Sequence, residues 1–374
     1  MKNRFIVEQK QLFSILSSMQ PICTKRTTLD ATSSILFQIT PRELVIKSTD
    51  MEISLQSSYL LKETDCIDQH SFLVSGRRIF ELVKELEGEI VGIFEDDQLK
   101  LISGNVHLAL NIKDASGFPP FPERIENLIQ FDASVLFELF SKVSFLVPQN
   151  NSNPALNGLL LEFLSGHMRM TATDGHCLVQ ARSSAYSLEQ DKKWLLPRRA
   201  VFELKKILET CRDTTIFLGI CGSQLVFSGD SFNFFTKLLA DPFPQYDAIL
   251  ERQGFIPASV DCTAFMKTLR RSACLLSGQF IPTKFDFFPE KRLRISMLNK
   301  DVGHLEDEIE LANFTGDHLE MRFYAPYLLS GLQVFPRDTV TFYLKNNVKP
   351  ILFESQEQQY QLLYLVMPVA PTHG

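Results

Sequence analysis

The sequence predicts an α+β chain made of three tandem copies of one module, each with antiparallel strands and two helices. Three observations carry that prediction. An amphipathic segment opens each third, a pair of short apolar strands follows, and a second helical segment comes after them. The three recur in one order, roughly 120–130 residues apart.

The opening segments are Phe5 to Met19, Phe131 to Val147 and Val260 to Leu276. Each shows apolar residues at three-to-four spacing; in the second, Val135, Leu136, Leu139 and Val143 mark one helical face. The strand pairs are 35–39 with 44–50, 159–163 with 168–174, and 285–288 with 293–297. Short apolar runs joined by polar turns predict hairpins of an antiparallel sheet. The second helix runs over 76–86 and returns at 197–208, with Pro197 expected at its first position, where a missing N–H costs nothing. A third copy over 325–334 keeps the apolar spacing without the basic start. Phe118-Pro119-Pro120-Phe121-Pro122 and Pro242-Phe243-Pro244-Gln245-Tyr246 read as linkers, giving domains 1–124, 125–253 and 254–374.

Composition excludes several classes. The seven cysteines are scattered, odd in number and never spaced C-x-x-C, which argues against a disulfide framework and a zinc site. No apolar run is long enough to span a bilayer, and the N-terminus lacks a signal h-region, so a cytoplasmic location is expected. The P-loop, dinucleotide, H-E-x-x-H and G-x-S-x-G patterns are missing. Asp174-Gly175-His176-Cys177 could suggest a Cys/His pair, but adjacent residues seldom point together, so His176 reads as a pocket or structural residue. The acidic run Glu306-Asp307-Glu308 lacks the turn glycine and spacing of a metal loop and reads as an exposed strand. No cofactor and no metal are expected, and the chain reads as non-catalytic.

The formal charge of −6 conceals a division. The six helical stretches 8–19, 76–86, 133–146, 197–208, 262–275 and 325–334 carry twelve bases and five acids, +7, leaving 26 bases and 39 acids, −13, elsewhere. Arg77 and Lys84, Arg198 and Lys205, and Arg199 and Lys206 lie seven apart, while Lys267, Arg270 and Arg271 fall at i, i+3 and i+4. A solvated helix surface is the plain alternative. Repetition favours a shared basic face that neutralises phosphates without reading sequence.

Five stretches carry a family pattern: Leu156-Asn157-Gly158 with Glu162, Thr171 to Leu178, Leu196-Pro197-Arg198-Arg199, Phe243-Pro244-Gln245-Tyr246, and Leu365 to Val369. Through them, and over essentially its whole length, the chain resembles the bacterial DNA polymerase III β subunit, the sliding clamp. The resemblance implies three clamp-type domains per chain, with sheets outside and paired helices inside. Two chains would join head to tail as a homodimer ring around double-stranded DNA. It implies DNA-facing residues Arg26, Arg77, Arg78, Lys84, Lys142, Arg198, Arg199, Lys205, Lys206, Lys267, Arg270 and Arg271. It implies a pocket for short peptides of the polymerase α subunit, the clamp loader and other partners. That pocket would be Leu156, Thr173, Gly175, His176, Leu178, Pro244, Ile249, Tyr327, Val366, Met367, Pro368 and Val369. Ring closure would set Leu108 and Leu110 of one protomer against Cys274 and Leu275 of the next. Cys177 and Ala248 stand where the family pattern has arginine, which makes the pocket rim less basic. The rival to a clamp is a repeat scaffold that holds no DNA, and topology-dependent retention on DNA would separate the two.

Overall fold

The computed structural model describes residues 3–24, 27–95, 97–122, 124–211 and 213–370. Six α-helices are present among them: α1 Gln9–Cys23, α2 Gly76–Lys84, α3 Ala133–Val143, α4 Arg198–Thr210, α5 Cys262–Cys274 and α6 Ala325–Leu332. Each falls on a stretch expected to be helical. The ends shift by a few residues, and at two of them a proline is involved. α1 continues to Cys23, past Pro21, which sits in its last turn. Pro197 does not open α4; it ends the strand Lys192–Pro197, opposite Gly158, and the helix begins at Arg198.

The repeat is regular. Adding 124 to the first residue of α1 gives the first residue of α3. The same shift carries Ser34–Ile39, Glu43–Thr49 and Ile53–Leu60 onto Gly158–Leu164, His167–Thr173 and Cys177–Ser183. α1 buries Leu12, Leu16, Met19 and Ile22 along one stripe, and each such side chain contributes about 1.5–3 kcal/mol. α3 and α5 begin on aspartates whose carboxylates hold the first free amides: Asp132 accepts from Ser134 N at 2.8 Å, and Asp261 from Ala264 N at 2.6 Å. The hydrogen bond from the Ser134 hydroxyl, then that from Val135 N, hold the Asp132 carboxyl below its usual range.

Two compact units divide the chain. The first holds residues up to Phe137 together with Arg199–Leu238; the second holds Glu138–Arg198 and Leu239 onward. The middle repeat contributes strands to both. The sheet of the first unit runs in the order Asn3–Glu8, Glu89–Glu95, Gln98–Ser103, Val106–Asp114, His70–Ser75, Ser34–Ile39, Glu43–Thr49, Ile53–Leu60, Phe232–Thr236, Gln224–Ser228, Thr215–Cys221, Glu126–Asp132. That of the second runs Lys192–Pro197, Gly158–Leu164, His167–Thr173, Cys177–Ser183, Gln361–Val366, Ile351–Gln356, Thr339–Leu344, Ile256–Asp261, Gly303–Phe314, Arg292–Asn299, Thr283–Phe288, Leu319–Phe323. All pairings are antiparallel. In each unit an edge strand of one repeat pairs with an edge strand of another: Phe232 to Thr236 opposite Ser57 to Ile53, and Cys177 to Arg182 opposite Val366 to Gln361. A sheet therefore crosses each repeat boundary.

Candidate functional site

The turn Thr173–Cys177, in the second unit, is built by its own side chains. Asp174 accepts from the backbone N–H of His176 at 2.8 Å and of Cys177 at 2.7 Å, and the Thr173 hydroxyl donates to the Cys177 carbonyl at 2.5 Å. Gly175 takes φ +94°, where a β-carbon would be strained. The preceding loop is latched onto this turn. Asn151 donates to the Asp174 carbonyl at 3.2 Å, and Asn157 donates to the Asn151 carbonyl at 3.0 Å. These bonds explain why Asn157 and Asp174 are needed where they stand.

The final strand and α6 complete the wall. Met367 N donates to the His176 carbonyl at 2.9 Å, and Val369 N to the Arg322 carbonyl at 2.7 Å. His176 stacks on Tyr327 at 5.5 Å and 17°, Tyr327 meets Tyr324 edge-on at 5.0 Å, and Tyr324 stacks on Phe280 at 4.5 Å. Tyr364 is buried beneath and donates to the Tyr327 carbonyl at 2.7 Å. The floor is a cluster that includes Leu178, Leu195, Leu365 and Tyr246, with Met367, Phe243 and Leu250 packed on it. Half-exposed aromatic and methionine side chains over an apolar floor suit capture of apolar side chains in an extended peptide.

Of the twelve residues expected to line a pocket, the structure brings Thr173, Gly175, His176, Tyr327, Met367, Pro368 and Val369 to accessible or half-buried positions around this groove. Leu156 and Leu178 are buried in its floor, with the Leu156 side chain beside Gly175, and Val366 is fully buried. Pro244 lines a neighbouring cavity with Glu162 and Trp194, and Ile249 an adjacent concavity with Lys345; both are exposed. Cys177 points into the core, where burial pushes its thiol far above the usual range. Ala248 lies exposed in the short turn Asp247–Ile249.

Sequence reasoning missed the aromatic ladder through Phe280 and Tyr324, because Phe280 stands alone in a loop with no periodic pattern around it. It also missed the anchor at Glu162, which is 1% exposed and receives Arg169 at 2.5 Å, Lys193 at 2.9 Å and the Tyr246 hydroxyl at 2.8 Å. Burial alone would raise this carboxyl; hydrogen bonds from Arg169, Lys193 and Tyr246 together hold it below its ordinary range.

The basic residues divide. Arg77, Arg78, Lys84, Lys206, Lys267, Arg270 and Arg271 are exposed, several beside acids: Arg77 and Arg78 share Glu81, Lys206 meets Glu203, and Arg271 reaches Asp307 at 2.5 Å. Lys205 is half-buried. Three have internal work. Lys142 donates to the Val334 carbonyl at 2.6 Å, and Arg198 to the Val147 carbonyl at 3.0 Å. Arg199 pairs with the fully buried Asp50 and donates to the Pro21 carbonyl at 2.8 Å. Lys142 and Arg199 are half-buried, and these bonds engage part of each head group inside the protein. Arg26 lies outside the described residues.

Leu108 and Leu110 sit half-buried on Val106–Asp114, opposite Leu101 and Leu99. Cys274 is exposed at the end of α5, followed by half-buried Leu275. Among the described residues no group of three or more His, Cys, Asp or Glu is placed to hold a metal, and no helix is long and apolar enough to cross a membrane.

Comparison with known proteins decides the family. Profiles of the DNA polymerase III beta subunit match in chain order: its N-terminal domain over residues 3–122, its central domain over 130–245 and its C-terminal domain over 250–370. The chain belongs to this sliding-clamp family. It is built of three tandem clamp domains, and the family is that of the non-catalytic processivity subunit. The Beta sliding clamp of Pseudomonas aeruginosa is 26% identical over 369 residues, covering 98% of this chain and 99% of the relative. That of Staphylococcus epidermidis is 21% identical over 375 residues, covering 98% of each. The fold matches a crystal structure of the P. aeruginosa clamp bound to griselimycin with a TM-score of 0.91 at 25% identity, covering 99% of this chain and 100% of that one. The Thermotoga maritima subunit matches at 0.89 with 21% identity and the same coverage.

Proposed function

We propose that two copies of this chain close head to tail into a ring that encircles duplex DNA and tethers a DNA polymerase and other partners through the groove at His176. The observation that carries the ring is a pairing rule. The third strand of the first repeat, Ile53–Leu60, pairs with the last strand of the second, and Cys177–Ser183 of the second pairs with the last strand of the third. By that rule Gly303–Phe314 of the third repeat should pair with Val106–Asp114 of a first repeat. Both have an edge to offer: Gly303–Phe314 pairs on its second side only from Ala258 to Val260, and Val106–Asp114 only from Phe72 to Val74. Open strand edges of this kind are satisfied by another chain. Leu108, Leu110, Cys274 and Leu275 are the apolar residues proposed to meet there.

The domain limits 1–124, 125–253 and 254–374 belong to the same proposal, as does a cytoplasmic place of work. The bases Arg77, Arg78, Lys84, Lys205, Lys206, Lys267, Arg270 and Arg271, with Arg198, are proposed to face the DNA, helped by the acidic remainder of the surface. The griselimycin-bound relative supports a ligand pocket in clamps of this fold. The test is topological. After loading by a clamp loader onto nicked circular DNA, the protein should be lost when the circle is linearised; retention on the linear product would overturn the ring. Changing Arg77, Lys206 and Arg270 together to glutamate should weaken retention about tenfold or more and flatten its salt dependence, with secondary structure by circular dichroism unchanged.

A further inference from the structure

The two repeat boundaries differ in how their helices are braced. In the second unit, Glu138 of α3 accepts from the Tyr360 hydroxyl at 2.7 Å, and Lys142 donates to the Val334 carbonyl at 2.6 Å. The 124-residue shift places Ser14 and Ser18 of α1 at the matching positions in the first unit. Neither reaches across. A cavity of about 280 Å³ stands there, between α1, the strand Ile53–Leu60, the end of α4 and the turn before Phe232.

We propose that this cavity is a binding site for a small, uncharged aromatic compound with hydroxyl or amide groups along one edge. Its volume lies just below the usual range for small-molecule sites, which suits a small ligand. Ile15, Leu55, Ile207 and Phe232 provide an apolar side, and Tyr59 adds a half-buried ring. Along the other side stand the hydroxyls of Ser14, Ser18, Ser57 and Ser58, whose side chains make no hydrogen bond among the described residues. Hydroxyls both donate and accept, so they match a polar neutral edge better than a charged one. Among the described residues the charged lining groups are Lys10 and Asp213, of opposite sign, which give no net preference for an ion. Lys10 is an exposed cation at the mouth, and the carboxylate of Asp213 already accepts from Ser231 N at 3.3 Å and its hydroxyl at 3.1 Å. A bound ring would fill the space that Glu138, Tyr360 and Lys142 bridge at the other boundary.

The test uses the full chain and indole-3-ethanol as probe, followed by methyl NMR. Saturable shifts are expected at Ile15, Leu55 and Ile207, with Ile351 of the second unit unmoved. Ser18→Phe should weaken binding about tenfold by filling the site, and Ser14→Trp, at an exposed position that tolerates bulk, should do the same should the first variant fold poorly. Unsaturable shifts, shifts centred elsewhere, or unchanged affinity in a folded variant would overturn the site.

Discussion

The turns at Asp50 and Asp174 share a backbone and differ in use. Asp50 accepts from the N–H groups of Glu52 and Ile53 at 2.9 and 2.8 Å, as Asp174 does from His176 and Cys177. Met51, at φ +74°, takes the place of Gly175. Lys237 N donates to the Glu52 carbonyl at 2.9 Å, the same length as the bond from Met367 N to the His176 carbonyl. At the first turn Arg199 then fills the junction, paired with the second carboxylate oxygen of Asp50. At the second, a histidine–tyrosine stack and a half-buried methionine line an accessible groove. One framework is thus closed by a buried ion pair in one copy and left accessible in the other, at the groove proposed to take a partner.

Breaking the closed turn should cost most. Asp50→Ala strands Arg199 and removes the turn's cap; the loss should fall toward the lower end of about 3–5 kcal/mol in urea unfolding, because the guanidinium side chain is 28% exposed. Groove affinity for a partner peptide should stay unchanged. Gly331→Ala tests the open turn from behind. A β-carbon there would lie 1.9 Å from the buried Tyr364 ring, so about 1–3 kcal/mol of stability should go, with weaker peptide binding as Tyr327 shifts. Tyr327→Ala should weaken binding of a partner peptide about tenfold by isothermal titration, with the unfolding midpoint little changed.

The smallest effect is confined to acid. Glu162 has a folded pKa below its ordinary 4.5, so its contribution is fully present above that value and lost as pH falls through the lower folded one. Unfolding followed from pH 6 down to about 3 should show this loss, and Glu162→Gln should flatten the slope in the acid range. An unchanged slope would remove Glu162 from the anchor of the Tyr246 segment.

Much of the fold was legible because burial is periodic. The stripe of α1, the basic-then-apolar start of α2 and α4, and the paired runs that became hairpins all need apolar residues at fixed intervals wherever they sit in the chain. The ends were less legible: Pro21 hid the last turn of α1, and Pro197 stood one residue outside its helix rather than inside. The groove turn could be found through Asn157 and Asp174, whose side chains must cap backbone amides locally. Phe280, Tyr324 and Tyr364 could not, since each acts through a partner far away in sequence.

By itself the sequence determined a module of two helices and short antiparallel strands, written three times, because the pattern of each element is set by its own near neighbours. Tertiary structure alone decided the fate of individual charges and edges. Arg199 is bound to Asp50 while Arg270 is exposed, and Val106–Asp114 is paired on its second side only over its last three residues. These outcomes depend on acceptors and strands brought close by folding over many tens of residues, which no local spacing encodes.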